Sequence, residues 1–181
     1  MKKTKIISIV NQKGGVGKTT TTVNLGTALA SIDKKVLLID LDPQGNLSTG
    51  LGVKENDRGS GVYGLITTNL TVDKVILSSK IPNLNLIASN VNLSGIEFEL
   101  ANSEDKTQKL INKIEKLVGY YDYIIIDCPP SLGILTVNSL VASNSVLVPL
   151  QCEFYAREGL AQLLKTVEKI KDNLNNRLYL E

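Results

Sequence analysis

The sequence predicts an α/β fold with a mainly parallel, twisted sheet and helices on both faces. Two apolar runs, residues 36–39 and 123–126, are continuous rather than alternating, which is typical of central strands buried on both faces. Segments with one apolar helical face separate such runs; in the first of them Leu25, Leu29 and Ile32 recur at helical spacing. Strands that alternate with helices along a chain build parallel sheets.

The composition fits a single globular domain over residues 1–181. Of the 181 residues, 43% are apolar and 21% are charged, and the formal net charge is +2. This length is enough for one domain with its own core, whereas the net charge is too small to indicate a nucleic-acid surface by itself. The chain has no histidine, which excludes histidine general bases and histidine-ligated metals.

Cysteine usage and the N-terminus indicate a cytoplasmic protein. Cys128 and Cys152 are too few for a disulfide framework or a four-thiolate metal site, and both flank strand-like apolar runs. We therefore expect reduced, buried packing residues. The apolar run after the basic N-terminus stops at Asn11, too early for a signal-peptide core or a bilayer span. No stable membrane association is expected.

A glycine-rich stretch marks a phosphate site. It lies between an apolar run, residues 6–10, and a predicted helix, residues 21–32. A strand, a glycine-rich turn and a helix N-terminus together cradle an anion, because the backbone N–H groups point inward. Lys18 adds a positive charge for the β- and γ-phosphates, and the Thr19 hydroxyl is placed to bind Mg²⁺.

This stretch departs from the ordinary Walker A pattern. The glycine expected five residues before Gly17 is replaced by Gln12, and Lys13 stands at the mouth of the loop. Lysine is a poor choice for a simple turn, so a glycine-rich turn on a basic surface is the weaker alternative. The predicted phosphate-binding residues are Lys13, Gly14, Gly15, Val16, Gly17, Lys18, Thr19 and Thr20.

Carboxylates end two of the predicted strands. Asp40 and Asp42 follow one strand and Asp127 ends another, at the strand ends where parallel α/β folds bind ligands. Asp127 fits the Walker B role, in which a carboxylate holds Mg²⁺ directly or through water. Asp42 can reach further over the phosphates, so we assign it the role of orienting the attacking water. We place Asp40 near the metal ion, one step further from it than Thr19 and Asp127. The alternative is that Asp40 and Asp42 are solvated loop residues.

The rest of the chain is predicted from periodicity. Residues 93–100 fit either a strand or a helix. The amphipathic segment 160–170 is interpreted as a helix that covers the sheet. A membrane-surface helix is the weaker interpretation, because the polar face of this segment carries both acidic and basic residues. The other predicted elements are strands at 84–88, 146–149 and 177–181, helices at 104–118 and 136–142, helical turns at 62–66 and 71–76, and a mobile loop at 50–61.

Three motifs, in their order along the chain, resemble those of the ParA/Soj partition ATPases. This family lies within the deviant Walker A group, which also includes MinD and the nitrogenase iron protein. The motifs are residues 13–20, residues 40–46 and residues 127–131, with Glu158-Gly159-Leu160 in the last helix. The resemblance implies a P-loop NTPase that binds ATP and Mg²⁺ and closes into an ATP-dependent homodimer. It also implies that Lys13 crosses the dimer interface to the partner's nucleotide and that Asp42 is needed for hydrolysis, so that Lys13, Lys18 and Asp42 are the catalytic residues.

The resemblance further implies a role in chromosome or plasmid partitioning. The ATP-bound dimer would coat DNA non-specifically, in association with the nucleoid, and a ParB-like centromere-binding protein would stimulate its slow hydrolysis. Members of the family continue beyond the equivalent of Glu181. We therefore expect that the segment with the last strands, much of the adenine pocket and the DNA-contacting basic residues is missing, which weakens nucleotide affinity and leaves little DNA binding.

Three other functions remain open. An iron-protein-like reductase needs cysteines that bridge a cluster, but Cys128 directly follows Asp127, at a packing position. A MinD-like positioning ATPase needs a basic amphipathic tail, and residues 42–46 favour the partition branch instead. The third is a module that binds ATP without turnover.

Overall fold

The computed structural model describes residues 3–151 and 156–181, in which helices separate successive strands except between the third and the fourth. The strands are β1 (Lys5–Ile9), β2 (Val36–Asp40), β3 (Ile76–Ser78), β4 (Leu84–Ile87), β5 (Tyr123–Asp127), β6 (Ser145–Leu147) and β7 (Tyr179–Leu180). The α-helices are α1 (Lys18–Ser31), α2 (Asn46–Gly50), α3 (Gly61–Thr67), α4 (Ile96–Leu100), α5 (Lys109–Ile114), α6 (Ile134–Ala142) and α7 (Ala156–Asn173).

The strands form one sheet in the order β3-β4-β2-β5-β1-β6-β7. Every pair is parallel except β3 with β4, so the predicted mainly parallel α/β fold is confirmed. In the centre, Asp127 of β5 lies in register with Ile9 of β1 on one side and with Asp40 of β2 on the other. The loops that follow these three strands therefore meet at the carboxyl edge of the sheet.

Two apolar clusters lie on opposite faces of the sheet. Alternate residues of one strand serve different clusters: Leu37 and Ile39 join the larger cluster and Leu38 the smaller. The larger cluster includes buried residues of α3 to α7, whereas the smaller includes Ala30 of α1. Helices thus cover both faces, as predicted.

A side chain from α6 determines where α5 begins. The periodicity predicts a helix over residues 104–118, but α5 begins only at Lys109, and residues 115–117 form a 3₁₀ turn. Asn138 accepts a hydrogen bond from the Leu110 N–H (3.1 Å) and donates to the Lys106 carbonyl (2.8 Å). In a helix that began earlier, the Leu110 N–H would bond to the Lys106 carbonyl, but here both groups bond to the Asn138 side chain instead.

Other boundaries also differ from the prediction. Residues 91–100 are helical, as a 3₁₀ turn followed by α4, so the alternation there does not produce a strand and Phe98 is 89% exposed. The 71–76 segment is a 3₁₀ turn that ends at Lys74 and leads into β3, an edge strand too short to produce a periodic pattern. Residues 50–61 are mostly exposed and contain a 3₁₀ turn at 55–57.

Helix α1 packs so closely on the sheet that Gly26 has no room for a branched side chain. A Cβ atom at Gly26 would lie 2.8 Å from Cδ2 of Leu38 and 3.3 Å from Cδ1 of Leu84, both fully buried. We expect Gly26→Val to lower the free energy of unfolding by about 1–3 kcal/mol through overpacking. Urea denaturation checks this against Ala28→Val, the same β-branched side chain at an exposed position of α1. Equal unfolding midpoints for the two variants would contradict it.

Candidate nucleotide-binding site

The glycine-rich loop connects β1 to α1 at the carboxyl edge of the sheet. Gly15 and Gly17 have φ angles of 76° and 91°, a region that residues with a side chain rarely adopt. A Cβ atom at Gly14, Gly15 or Gly17 would meet no atom within 4 Å, so the backbone of the loop faces open space. An anion can therefore approach the loop backbone closely, as a phosphate cradle requires.

Lys18 reaches back to the mouth of the loop. Its side chain is almost buried, and Nζ donates a hydrogen bond to the Lys13 carbonyl at 3.0 Å. Burial lowers the pKa of Lys18, while Asp127 and Asp42 act in the opposite direction. The ammonium is thus held inside the loop, next to the space that a phosphate would occupy.

Lys13 itself lies at the exposed rim of the loop. Its backbone N–H donates to Oδ1 of Asn11 at 2.9 Å, and Asn11 in turn donates through Nδ2 to the Pro149 carbonyl at 2.7 Å. These bonds tie the start of the loop to the segment that follows β6.

Asp127 presents a buried carboxylate with one unsatisfied oxygen. The residue is 1% exposed; Oδ1 accepts a hydrogen bond from Thr22 at 3.4 Å, and Oδ2 has no hydrogen-bond partner in the part of the chain described. Burial raises the pKa of Asp127 to about 7, although the nearby Thr19 hydroxyl, whose contact with the carboxylate does not meet hydrogen-bond geometry, lowers it. A buried acceptor without a partner beside a hydroxyl fits a hard cation such as Mg²⁺.

Metal-ligating side chains are few around the phosphate loop in the part of the chain that the structure describes. Residues 3–151 and 156–181 contain no group of three Asp, Glu or Cys side chains that could hold an ion together.

Asp40 faces the start of α2. It is fully buried, and Oδ2 accepts hydrogen bonds from the N–H of Ser48 (2.8 Å) and from its Oγ (2.7 Å), while Oδ1 accepts from the Asp42 N–H (3.3 Å). Burial raises the pKa of Asp40 to about 6, and the two Ser48 donors oppose this. Both oxygens therefore have protein partners, in contrast to Asp127.

Asp42 lies over the phosphate loop. It is half-buried, its Oδ1 accepts a hydrogen bond from the Gln44 N–H at 3.0 Å, and its carbonyl accepts from Ser89 Oγ at 2.5 Å. A cavity of about 450 Å³ joins this residue to the loop. The cavity is lined by Asp42, Gln44, Asn46, Pro130, Gly14, Gly15, Gly17, Lys18, Thr19 and Thr20.

The sequence did not reveal the residues that hold the Asp42 segment. Ser48 Oγ, which donates to Asp40, also accepts from the Ser89 N–H at 3.1 Å. Arg58 donates to Thr49 Oγ1 at 2.7 Å and packs against Gly45. These residues belong to no motif, and only the fold brings them together.

Cys128 is a packing residue, as expected. It is 1% exposed, its thiol donates to Ser139 Oγ at 3.0 Å, and burial raises its pKa to about 12. This thiol is therefore protonated at neutral pH and packs inside the core. Cys152 lies outside the described residues. Among the helices described, none is both long and apolar enough to traverse a bilayer.

Replacement of the buried Asp127 carboxylate should stabilise the nucleotide-free protein. Because its pKa is raised in the folded state, stability present at low pH is lost as the pH rises through about 7. At pH 8 we expect Asp127→Asn to raise the free energy of unfolding by on the order of 1 kcal/mol. Urea denaturation without nucleotide or Mg²⁺ measures this, with Asp172→Asn at an exposed position as control. A less stable Asp127→Asn protein would contradict the prediction.

Ser48→Ala should destabilise the protein because it removes a buried hydroxyl that serves two partners. Asp40 loses one of its donors and the Ser89 N–H loses its acceptor, at a cost of about 1–3 kcal/mol. Thermal unfolding of Ser48→Ala is compared with Ser31→Ala, which removes an exposed hydroxyl bonded to the Ala28 carbonyl. If both variants melt together, the Ser48 network does not support the fold.

Sequence comparison places the chain among partition proteins. A family model described as an AAA domain matches residues 4–180. The chain is 50% identical over 177 residues to the sporulation initiation inhibitor protein Soj of Bacillus subtilis, covering 98% of this chain and 70% of that protein. It is 46% identical over 179 residues to the chromosome partitioning protein ParA of Caulobacter vibrioides, covering 98% and 67%. The chain thus spans about two thirds of the length of these relatives.

Solved structures share the fold. The cobyrinic acid a,c-diamide synthase of Mycobacterium smegmatis with bound ADP and magnesium is 38% identical with a TM-score of 0.94, covering 98% of this chain and 72% of that one. A plasmid partition protein of Borrelia burgdorferi is 34% identical with a TM-score of 0.86, covering 99% and 77%. Together with the geometry of the phosphate loop, these matches show that the chain belongs to the ParA/Soj family of P-loop partition ATPases.

Proposed function

We propose that this chain binds ATP with Mg²⁺ and hydrolyses it slowly, as a switch that positions replicated chromosomes or plasmids. The unsatisfied Oδ2 of Asp127, buried near Lys18 and Thr19, carries this proposal, because it provides a cation position beside an open phosphate cradle. The names of the sequence relatives support the partition role. Nucleotide and magnesium are present in the related Mycobacterium smegmatis structure.

The site residues divide into those that bind and those that act on water. The loop amides and Lys18 hold the phosphates, and Thr19 and Asp127 hold Mg²⁺, which when bound neutralises charge on the phosphates. Asp42 shares the cavity with the loop and orients the attacking water. Asp40 supports the metal ion indirectly, since its carboxylate fixes the start of the segment that carries Asp42.

Lys13 makes the site dependent on a second copy of the chain. Its side chain lies at the exposed rim of the loop, while its carbonyl accepts the Lys18 ammonium. In the ATP-bound state Lys13 contacts the nucleotide of the partner subunit across a homodimer interface. The hydrogen bond from Lys18 connects this contact to the phosphate site.

The proposed cycle involves DNA and a second protein. In the proposed cycle of the longer family members, the dimer binds DNA non-specifically on the nucleoid in the cytoplasm, and a ParB-like centromere-binding protein stimulates hydrolysis and releases it. This chain by itself is expected to bind DNA only weakly. The relatives named for chromosome and plasmid partition support this assignment. A chain that binds ATP without turnover is the alternative, and the following experiment separates the two.

Analytical ultracentrifugation with ATP–Mg²⁺, ADP–Mg²⁺ and no nucleotide tests the switch. We expect ATP alone to convert wild-type monomers into dimers, and Asp42→Ala to retain the dimer because the attacking water is no longer oriented. Phosphate release by Asp42→Ala should fall by roughly two orders of magnitude. Asp172→Ala, which removes an exposed carboxylate from the end of α7, serves as the matched control.

Each outcome bears on a different part of the proposal. No dimer with ATP in the wild type, despite binding of a fluorescent ATP analogue, contradicts the switch and leaves a binding module. Failure of Lys18→Ala to weaken binding of that analogue contradicts the phosphate site itself.

A further inference from the structure

A second cavity lies at the opposite edge of the sheet, far along the strands from the phosphate loop. It has a volume of about 750 Å³, within the range of roughly 300–1,000 Å³ typical of small-molecule sites. Residues 69–73, the beginnings of β2 and β4, and the segment from Lys113 to Tyr121 enclose it. We call this cavity the basal cleft.

The basal cleft has an apolar wall. Val72 and Leu117 are buried, and Leu70 and Ile76 are half-buried, although all four line the cavity. Leu70 and Ile76 remain partly in contact with water, and a ligand with an apolar body would remove that contact.

Hydrogen bonds fix the walls of the cleft. Lys113 Nζ donates to the carbonyls of Thr68 (2.9 Å) and Leu70 (3.0 Å), which joins α5 to the turn before the 3₁₀ segment. Across the cleft, Asn85 Nδ2 donates to the Tyr121 hydroxyl at 2.8 Å. The cavity is therefore formed before a ligand binds, so that little conformational entropy is lost on binding.

The charge around the basal cleft is positive. Lys35, Lys113 and Lys116 line it together with one carboxylate, Asp73. Lys35 and Lys116 are exposed, and neither ammonium makes a hydrogen bond or ion pair within the residues that the structure describes. The nearby Asp122 accepts the backbone N–H of Lys35 and lines a neighbouring cleft instead. Three lysines and one carboxylate thus give the cleft a net positive charge beside an apolar wall.

We propose that the basal cleft binds a small amphiphilic carboxylate, with its apolar body against Leu70 and Ile76 and its carboxylate beside Lys35 and Lys116. Electrostatic attraction selects the anion, and apolar burial selects the body. A purely inorganic anion would leave the apolar wall exposed, and a neutral hydrocarbon would leave the cations without a partner. This site is separate from the phosphate loop and does not depend on the proposed ATPase activity.

Displacement of the fluorescent amphiphilic anion 8-anilinonaphthalene-1-sulfonate from the whole chain tests the proposal. Octanoate, 1-octanol and octylamine serve as competitors with the same alkyl chain and different charge. We expect octanoate to compete about tenfold more strongly than either other compound, and less so at high salt. Equal competition by all three would overturn the proposal.

Charge-matched variants locate the site. Lys35→Met combined with Lys116→Met should weaken octanoate binding about tenfold, because both charges at the cleft are removed. Lys74→Met combined with Lys80→Met removes two exposed lysines that do not line the cleft and should change binding less than twofold. Equal loss in the two double variants would show non-specific attraction and overturn the proposal.

Two further measurements distinguish the basal cleft from the phosphate site and from a lipid-binding surface. Octanoate binding that disappears when ADP–Mg²⁺ is added would place the ligand in the phosphate site and overturn the proposal. Co-sedimentation with phosphatidylglycerol vesicles without any octanoate binding would assign the lysines to a lipid surface, which also overturns it. Octanoate binding that persists with ADP–Mg²⁺ present supports the cleft.

Discussion

The carboxylate of Asp127 ends the central strand β5, in register with Ile9 of β1 and Asp40 of β2. This register brings the phosphate loop, Asp127 and the Asp42 segment to the same edge of the sheet, because each follows the end of one of these strands. A slip of one residue in β5 would turn Asp127 to the other face of the sheet. Isoleucines of β5 face both apolar clusters, so the two ends of the strand, Tyr123 and Asp127, distinguish the observed register from a shifted one.

Without a bound cation, the same carboxylate lowers the stability of the protein. Asp127 is desolvated, one of its oxygens has no hydrogen-bond partner among the described residues, and its pKa is raised. The buried ammonium of Lys18 compensates only in part, because its own pKa is lowered by burial. A bound cation and phosphates of opposite charge would satisfy both groups. Ligand binding and the stability of this part of the fold are therefore coupled.

The sequence predicts those parts of the site that phosphate chemistry constrains directly. Glycines with positive φ, a lysine inside the loop and a strand-end carboxylate each follow from one local requirement, and the structure places Gly17, Lys18 and Asp127 accordingly. The sequence does not predict the partners of Asp40, since Ser48 and Ser89 meet only after the chain has folded. The predicted start of α5 was wrong for the same reason, because that boundary depends on Asn138 from another helix.

The parallel topology also explains why a second cavity forms at the edge of the sheet opposite the phosphate loop. All parallel strands begin at one edge of the sheet, so the segments that precede them meet there, just as the functional loops meet at the other edge. Phosphate chemistry constrains none of the residues at the basal edge. Solvation alone accounts for exposed lysines such as Lys35 and Lys116, but it does not account for the half-buried Leu70 and Ile76 that line the same cleft. A ligand site requires exposed lysines next to an accessible apolar surface, and an ordinary solvated edge of a sheet lacks that combination.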